Sequence, residues 1–216
     1  MEQQIIKINK DRIRIFLILF FFSEEHNDSS VPNFKRLFES EVKLQKLDFW
    51  VRNPDYFSYS LLAIAEKELT IKQEIKDIVK KIFEDREPEI RREDMRKFLY
   101  GAHEDITKAI AFLDSVDLIK FVSKKNVVLR PREKKYYITD FGVNKVISNL
   151  PDLPFLKWYE ERCLLIKKYF GDKNGTQLKN IQYQIEEYAQ TPYGQLIPNI
   201  SNLVKKRYNT IYQENI

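Results

Sequence analysis

A chain of 216 residues that is 43% hydrophobic, with 15 Phe and 12 Tyr, can form one large domain or two small ones around a true core. Five Gly and eight Pro argue against a repeat array or a long disordered linker, and one cysteine, Cys163, excludes an intramolecular disulfide framework and fits a reducing, cytoplasmic compartment. The net charge of +5 permits contact with nucleic acid or an acidic protein without requiring either.

The first predicted element holds the run Ile15 to Phe22, IFLILFFF. A bilayer span needs about 20 apolar residues, and this run is far shorter. Lys7, Lys10, Arg12 and Arg14 precede it, Glu24 and Glu25 follow it, and no small-residue cleavage site lies beyond. It reads as a helix buried nearly all round or seated at a subunit interface, with no membrane role. The polar stretch 26–32 closes it. Two helices follow between Lys43 and Leu69, broken at Asn53-Pro54-Asp55. Ile71, Ile75, Ile78, Val79, Ile82 and Phe83 then line one face of an amphipathic helix.

Residues 90–150 change rhythm. A short helix is predicted around Asp94 to Leu99, a turn at Tyr100-Gly101, and a second helix through Ile106, Ala109, Ile110, Leu113 and Val116. Strand-like runs follow at 118–122, 127–129 and 136–138, and Thr139-Asp140 offers the cap of a helix reaching about Leu150. Helix, turn, helix, wing, helix is the order of a winged helix-turn-helix. The expected fold is therefore mainly α with a small β wing. A winged-helix domain with inserted helices would occupy 1–150, its core at about 90–150, and a helical C-terminal section 151–216. In that last section Phe155, Trp158, Leu165 and Phe170 belong to a wide apolar face that an obligate subunit could present to a partner. Helices over the segments 176–188 and 199–212 complete the chain.

Little in the sequence suggests catalysis. Neither a phosphate-cradling glycine loop nor a dinucleotide-binding fingerprint is present. His26, His103 and Cys163 lack the spacing of a zinc site, and His103 reads as a solvated residue at a helix start. Pro54-Asp55 and Glu133-Lys134-Lys135 are the fragments of a metal-dependent nuclease motif, but Asp55 sits where a carboxylate caps a helix and Glu133 falls on the wing. No enzyme activity, cofactor or metal is expected.

The wing itself is basic. Lys120, Lys124, Lys125, Arg130, Arg132, Lys134 and Lys135 stand against one acid, Glu133. Such a wing can lie along a phosphate backbone; it can equally be a solvated or protein-facing hairpin. The preceding helix, His103 to Asp117, carries Glu104, Asp105, Asp114 and Asp117 against Lys108. A phosphate-lined groove repels that charge, so sequence-specific reading is not expected and protein docking is.

The segments LQKLDFWVRNPDYF (44–57), MRKFLYGAHED (95–105), AIAFLDSVDLI (109–119) and ERCLLIKKYFGDKNGTQLKNIQYQIEEY (161–188) resemble the middle component of bacterial ABC three-component systems. Lamassu-type antiphage defence belongs to that group. The similarity runs over most of residues 11–190 and departs at Ala102-His103, where the family carries Pro-Trp. The resemblance implies a small winged-helix subunit seated on the heads of a coiled-coil, SMC-like ATPase. Such a subunit bridges the ATPase to an effector nuclease and helps restrain the effector, with double-stranded DNA as a further partner of the wing. The alternative is a stand-alone winged-helix transcriptional regulator.

Overall fold

The computed structural model describes residues 2–26, 34–124 and 133–216. In chain order the elements are α1 (Glu2–Phe22), β1 (Glu24–Glu25), β2 (Phe34–Glu39), α2 (Glu41–Arg52), α3 (Pro54–Ala65), α4 (Lys72–Glu84), α5 (Glu87–Ile90), β3 (Arg96–Phe98), β4 (Gly101–His103), α6 (Thr107–Ser115), β5 (Ile119–Lys124), β6 (Glu133–Thr139), α7 (Asp140–Asn149), α8 (Pro154–Phe170), α9 (Gly175–Tyr183), α10 (Glu186–Gln190) and α11 (Ser201–Tyr212). The described chain is mainly helical with a small antiparallel sheet. No described helix is long and apolar enough to cross a membrane.

Local signals account for several helix ends. Pro54 and Pro154 open α3 and α8, where a missing N–H costs nothing. Thr139 caps α7, its Oγ1 accepting the Gly142 N–H at 2.9 Å. The predicted stripe of α4 is realised, with Ile75, Val79 and Ile82 buried.

One predicted helix is absent. The segment around Asp94 to Leu99 is instead the strand β3, which turns through Leu99-Tyr100 into β4. Gly101, at φ 95°, supplies the backbone conformation that the turn needs. A third extended stretch completes this ladder: Lys97 N–H donates to the Gln195 carbonyl at 3.0 Å, and Ile197 N–H to the Met95 carbonyl at 2.9 Å. Six residues are too few to sustain a helix alone, and partners from the far end of the chain decide for strand.

The chain forms two compact units, each assembled from two stretches of sequence. The first comprises 1–48 and 105–175; the second comprises 49–104 and 176–216. This division differs from the one near residue 150 that the sequence suggested. The boundary runs instead through α2, and residues 90–150 contribute to both units.

In the first unit the sheet order is β1-β2-β6-β5, all antiparallel. Phe38 and Phe121 both face Tyr136 across the ladder, and Ile119 faces Ile138. Helix α1 packs against α6 and α8, so Ile15, Ile18 and Leu19 meet the same core as Ile166 and Phe170. The apolar run of α1 is thus buried over most of its length, as its composition requires. Two lysines close helix C-termini: Lys43 Nζ donates to the Gly171 carbonyl at 3.1 Å and Lys167 Nζ to the Phe21 carbonyl at 2.7 Å. Burial pushes both lysines below the usual ammonium range.

In the second unit α3 packs against α4 and α11. Phe49, Tyr56 and Tyr188 form an edge-to-face aromatic cluster with centroids 4.9–6.1 Å apart. The Tyr188 hydroxyl accepts the Ala102 N–H at 2.6 Å and donates to Gln182 Oε1 at 3.3 Å, which ties β4 to this cluster.

Candidate functional site

The basic segment that the sequence suggested as a wing falls on the antiparallel pair β5–β6, with Ile119 opposite Ile138 and Lys124 opposite Glu133. Three of its basic residues are described with their surroundings, and each has a carboxylate. Lys120 Nζ lies 3.4 Å from Asp114, Lys135 Nζ lies 2.8 Å from Glu39, and Lys134 pairs with Glu41. Lys125, Arg130 and Arg132 lie outside the described residues, as does the side chain of Lys124. Glu39 and Glu41 come from β2 and the start of α2, almost a hundred residues upstream, and β2 was not foreseen. A charge sum over 120–135 could not include them.

The acidity of the helix after the hairpin is also redistributed. The Asp105 carboxylate accepts the Thr107 N–H at 2.9 Å at the helix start, and Glu104 pairs with Arg52 in the second unit. Asp114 is taken by Lys120 and by the Phe121 N–H at 3.2 Å. Asp117 falls beyond the helix end at φ 59°. The exposed face of α6 is Thr107, Lys108, Ala111 and Ser115, which is small and neutral to basic. The repulsion inferred from the sequence total is therefore not presented on that face.

The apolar face of α8 is mostly internal. Phe170 is 1% exposed, packed with Ile166 and the fully buried Cys163, and so is not available to a partner. Trp158 and Leu165 are half-buried, and the side chain of Phe155 lies outside the described residues. Burial pushes the Cys163 thiol far up, which leaves no reactive thiolate. The α8 face is spent on α1 because α1 carries the complementary apolar run.

An open apolar groove lies in the same unit. Phe20 and Phe21 from the end of α1, Ile147 and Leu150 from α7, and Pro151 and Pro154 line a hollow of about 590 Å³, with Lys157 and Glu160 at its margin. Ile147 is 64% exposed, far more than a monomer core residue, and Phe141 on the same helix is 46% exposed. The sequence signal for this groove was Ile147, an apolar residue directly beside the buried Val146 on α7.

No described group of three or more His, Cys, Asp or Glu side chains is arranged to hold a metal. Asp55 is fully buried and engaged within the second unit: its carboxylate accepts the Tyr56 N–H at 3.0 Å and the Ile200 N–H at 2.8 Å, and Arg92 at 3.1 Å. Burial pushes its carboxyl above the usual range, against the pull of Arg92 and the two amides. His103 packs edge-on against Phe98, and His26 against Tyr137.

No protein-family model, curated protein or solved structure matches this chain.

Proposed function

We propose that this chain is a non-catalytic accessory subunit of a cytoplasmic antiphage defence complex. In this reading it docks on the heads of an SMC-like coiled-coil ATPase, bridges to an effector nuclease and helps hold that nuclease inactive. The observation that carries the subunit role is the exposed groove of Phe20, Phe21, Ile147 and Leu150. An open apolar hollow rimmed by one cation and one carboxylate suits a protein partner better than a soluble metabolite or a phosphate. The resemblance of residues 44–57, 95–105, 109–119 and 161–188 supplies the kind of complex.

A winged helix belongs to the same reading. Its support is topological: α1, β2, the first part of α2, α6, then the hairpin β5–β6, with β2 joining the sheet on the returning strand β6. On this view the winged helix is built from 1–48 and 105–149, with residues 49–104 inserted between its second and third helices. The basic wing would then touch double-stranded DNA without reading its sequence.

Co-expression with the adjacent open reading frames, followed by affinity purification, tests this function. The wild-type chain is expected to bring down a coiled-coil ATPase. Ile147→Glu together with Leu150→Glu should abolish that recovery while the far-ultraviolet circular dichroism stays unchanged. Undiminished recovery with the double variant would remove the groove from the interface.

A stand-alone DNA-binding regulator is the second reading, and the face of α6 favours it more than the sequence did. With Thr107, Lys108, Ala111 and Ser115 outward, a groove-inserted helix meets no acidic barrier. Duplex binding with a sequence preference that Lys108→Glu destroys would bring this reading forward.

A further inference from the structure

We infer that the second unit carries a binding face for single-stranded nucleic acid, built on the β3–β4 hairpin, α9 and the loop at 193–194. This face shares no residue with the wing or the apolar groove, and the inference does not depend on the subunit reading.

Two aromatic rings stand open there. Tyr100, at the hairpin turn, is 70% exposed, and Tyr193 is 67% exposed. Neither is a floppy projection. Phe98 holds the Tyr193 ring edge-on, with centroids 5.5 Å apart and planes at 87°. The Lys179 ammonium sits 5.4 Å from the Tyr100 centroid and 5.3 Å from that of Tyr183. Lys97 lies 5.3 Å from the same Tyr183 ring and donates to the Ala189 carbonyl at 2.5 Å. Arg96 donates to the Gly194 carbonyl at 2.7 Å and so fixes the loop that bears Tyr193.

The charges decide the ligand. Among the described residues Arg96, Lys97 and Lys179 make no ion pair with a carboxylate, whereas Lys120, Lys134 and Lys135 on the wing all do. A cluster of cations interleaved with open tyrosine rings wants anions and flat π-faces at alternating positions, which is the chemistry of a phosphodiester strand with unpaired bases. A duplex offers the phosphates but keeps its base faces stacked on one another, so the rings would gain nothing. A protein partner would use the tyrosines, but lysines are depleted from the cores of protein interfaces because they lose hydration there.

The test is fluorescence anisotropy of the purified full chain with a labelled oligothymidylate, compared with a duplex of equal length, over a series of salt concentrations. The single strand should bind about tenfold tighter than the duplex. Tyr100→Ala and Tyr193→Ala should each weaken it about tenfold, while Tyr100→Phe, which keeps the ring, should bind as wild type. Arg96→Gln and Lys179→Gln should each flatten the salt slope by about 0.7. Because both tyrosines are mostly solvent-exposed, circular dichroism of the variants should match wild type. No binding of oligothymidylate at low salt, equal affinity for the duplex, or indifference to loss of either ring overturns the proposal. So does a result in which the tyrosine variants instead lose a co-expressed protein, with oligothymidylate ignored throughout; that marks a protein-docking face.

Discussion

Arg14 and Asp48 form a buried ion pair in the first unit, with Nε donating to Oδ1 at 2.6 Å and both side chains at most 3% exposed. The same guanidinium reaches Asp11 at 2.8 Å. Removing one charge of such a pair takes a close counter-charge from the other in a low dielectric. Asp48→Ala should therefore cost about 3–5 kcal/mol in urea unfolding, and Arg14→Met alone should cost a comparable amount. Arg14→Met combined with Asp48→Leu should cost much less than the sum, since neither buried charge of the pair then remains. Additive losses would mean that the pair acts through packing alone.

Asp55 links the start of α3 to the residue before α11 through the Ile200 N–H, and to Arg92. Asp55→Ala leaves the buried Ile200 amide without this acceptor and takes from Arg92 one of its two carboxylates, and should cost about 3 kcal/mol in thermal or chemical unfolding. The wild-type protein, incubated with Mg²⁺ or Mn²⁺, should leave both ATP and linear DNA intact. Metal-dependent cleavage that vanishes in Asp55→Ala would give this carboxylate a catalytic role instead.

Gly142 sits in the first turn of α7, and a Cβ there would lie 2.2 Å from the Leu118 carbonyl oxygen. Gly→Ala in an open helix gains about 1 kcal/mol. Here the clash is with backbone, which cannot swing aside, so Gly142→Ala should lose about 2 kcal/mol net. Asn144→Ala, on the exposed side of the same helix, is the control and should be neutral or slightly stabilising. Both changes are read from denaturation midpoints.

Glu66 accepts two hydrogen bonds from Arg207, at 3.0 and 2.5 Å, and the guanidinium also lies over the Tyr59 ring at 4.2 Å. The Arg207 hydrogen bond holds the Glu66 carboxyl below its usual range. A carboxyl whose folded value is depressed contributes stability above its unfolded value, and that contribution fades as pH falls through the folded one. Because the Glu66 side chain is 41% exposed, solvent screens the pair and the contribution at neutral pH is about 0.5 kcal/mol. Glu66→Gln should show this deficit at pH 7, and the two proteins should converge once acid has protonated the wild-type carboxyl.

The helices α3, α4, α7 and α11 were legible in the sequence because their causes are local. Apolar residues recur at helical spacing within each, and Pro54 and Thr139 mark two of the starts. The burial of the α1 run was legible for the same reason, since a segment apolar on every side has nowhere else to go. Strand β2, the β3–β4 hairpin and the split of each unit into two stretches were decided by tertiary structure. A short strand is stabilised by the backbone groups of its neighbours, and besides the nearby β1 and β4 the neighbours of β2 and β3 include β6 and residues 194–197, about a hundred positions away. The functional surfaces follow the same rule. Local composition made residues 120–135 look uniformly basic and α6 acidic, yet Glu39 and Glu41 sit against Lys135 and Lys134 and Asp114 turns toward β5. Charge counts are additive along a sequence, whereas charge exposed on a surface depends on which side chains the fold brings within a few ångströms, and only the tertiary structure sets those distances.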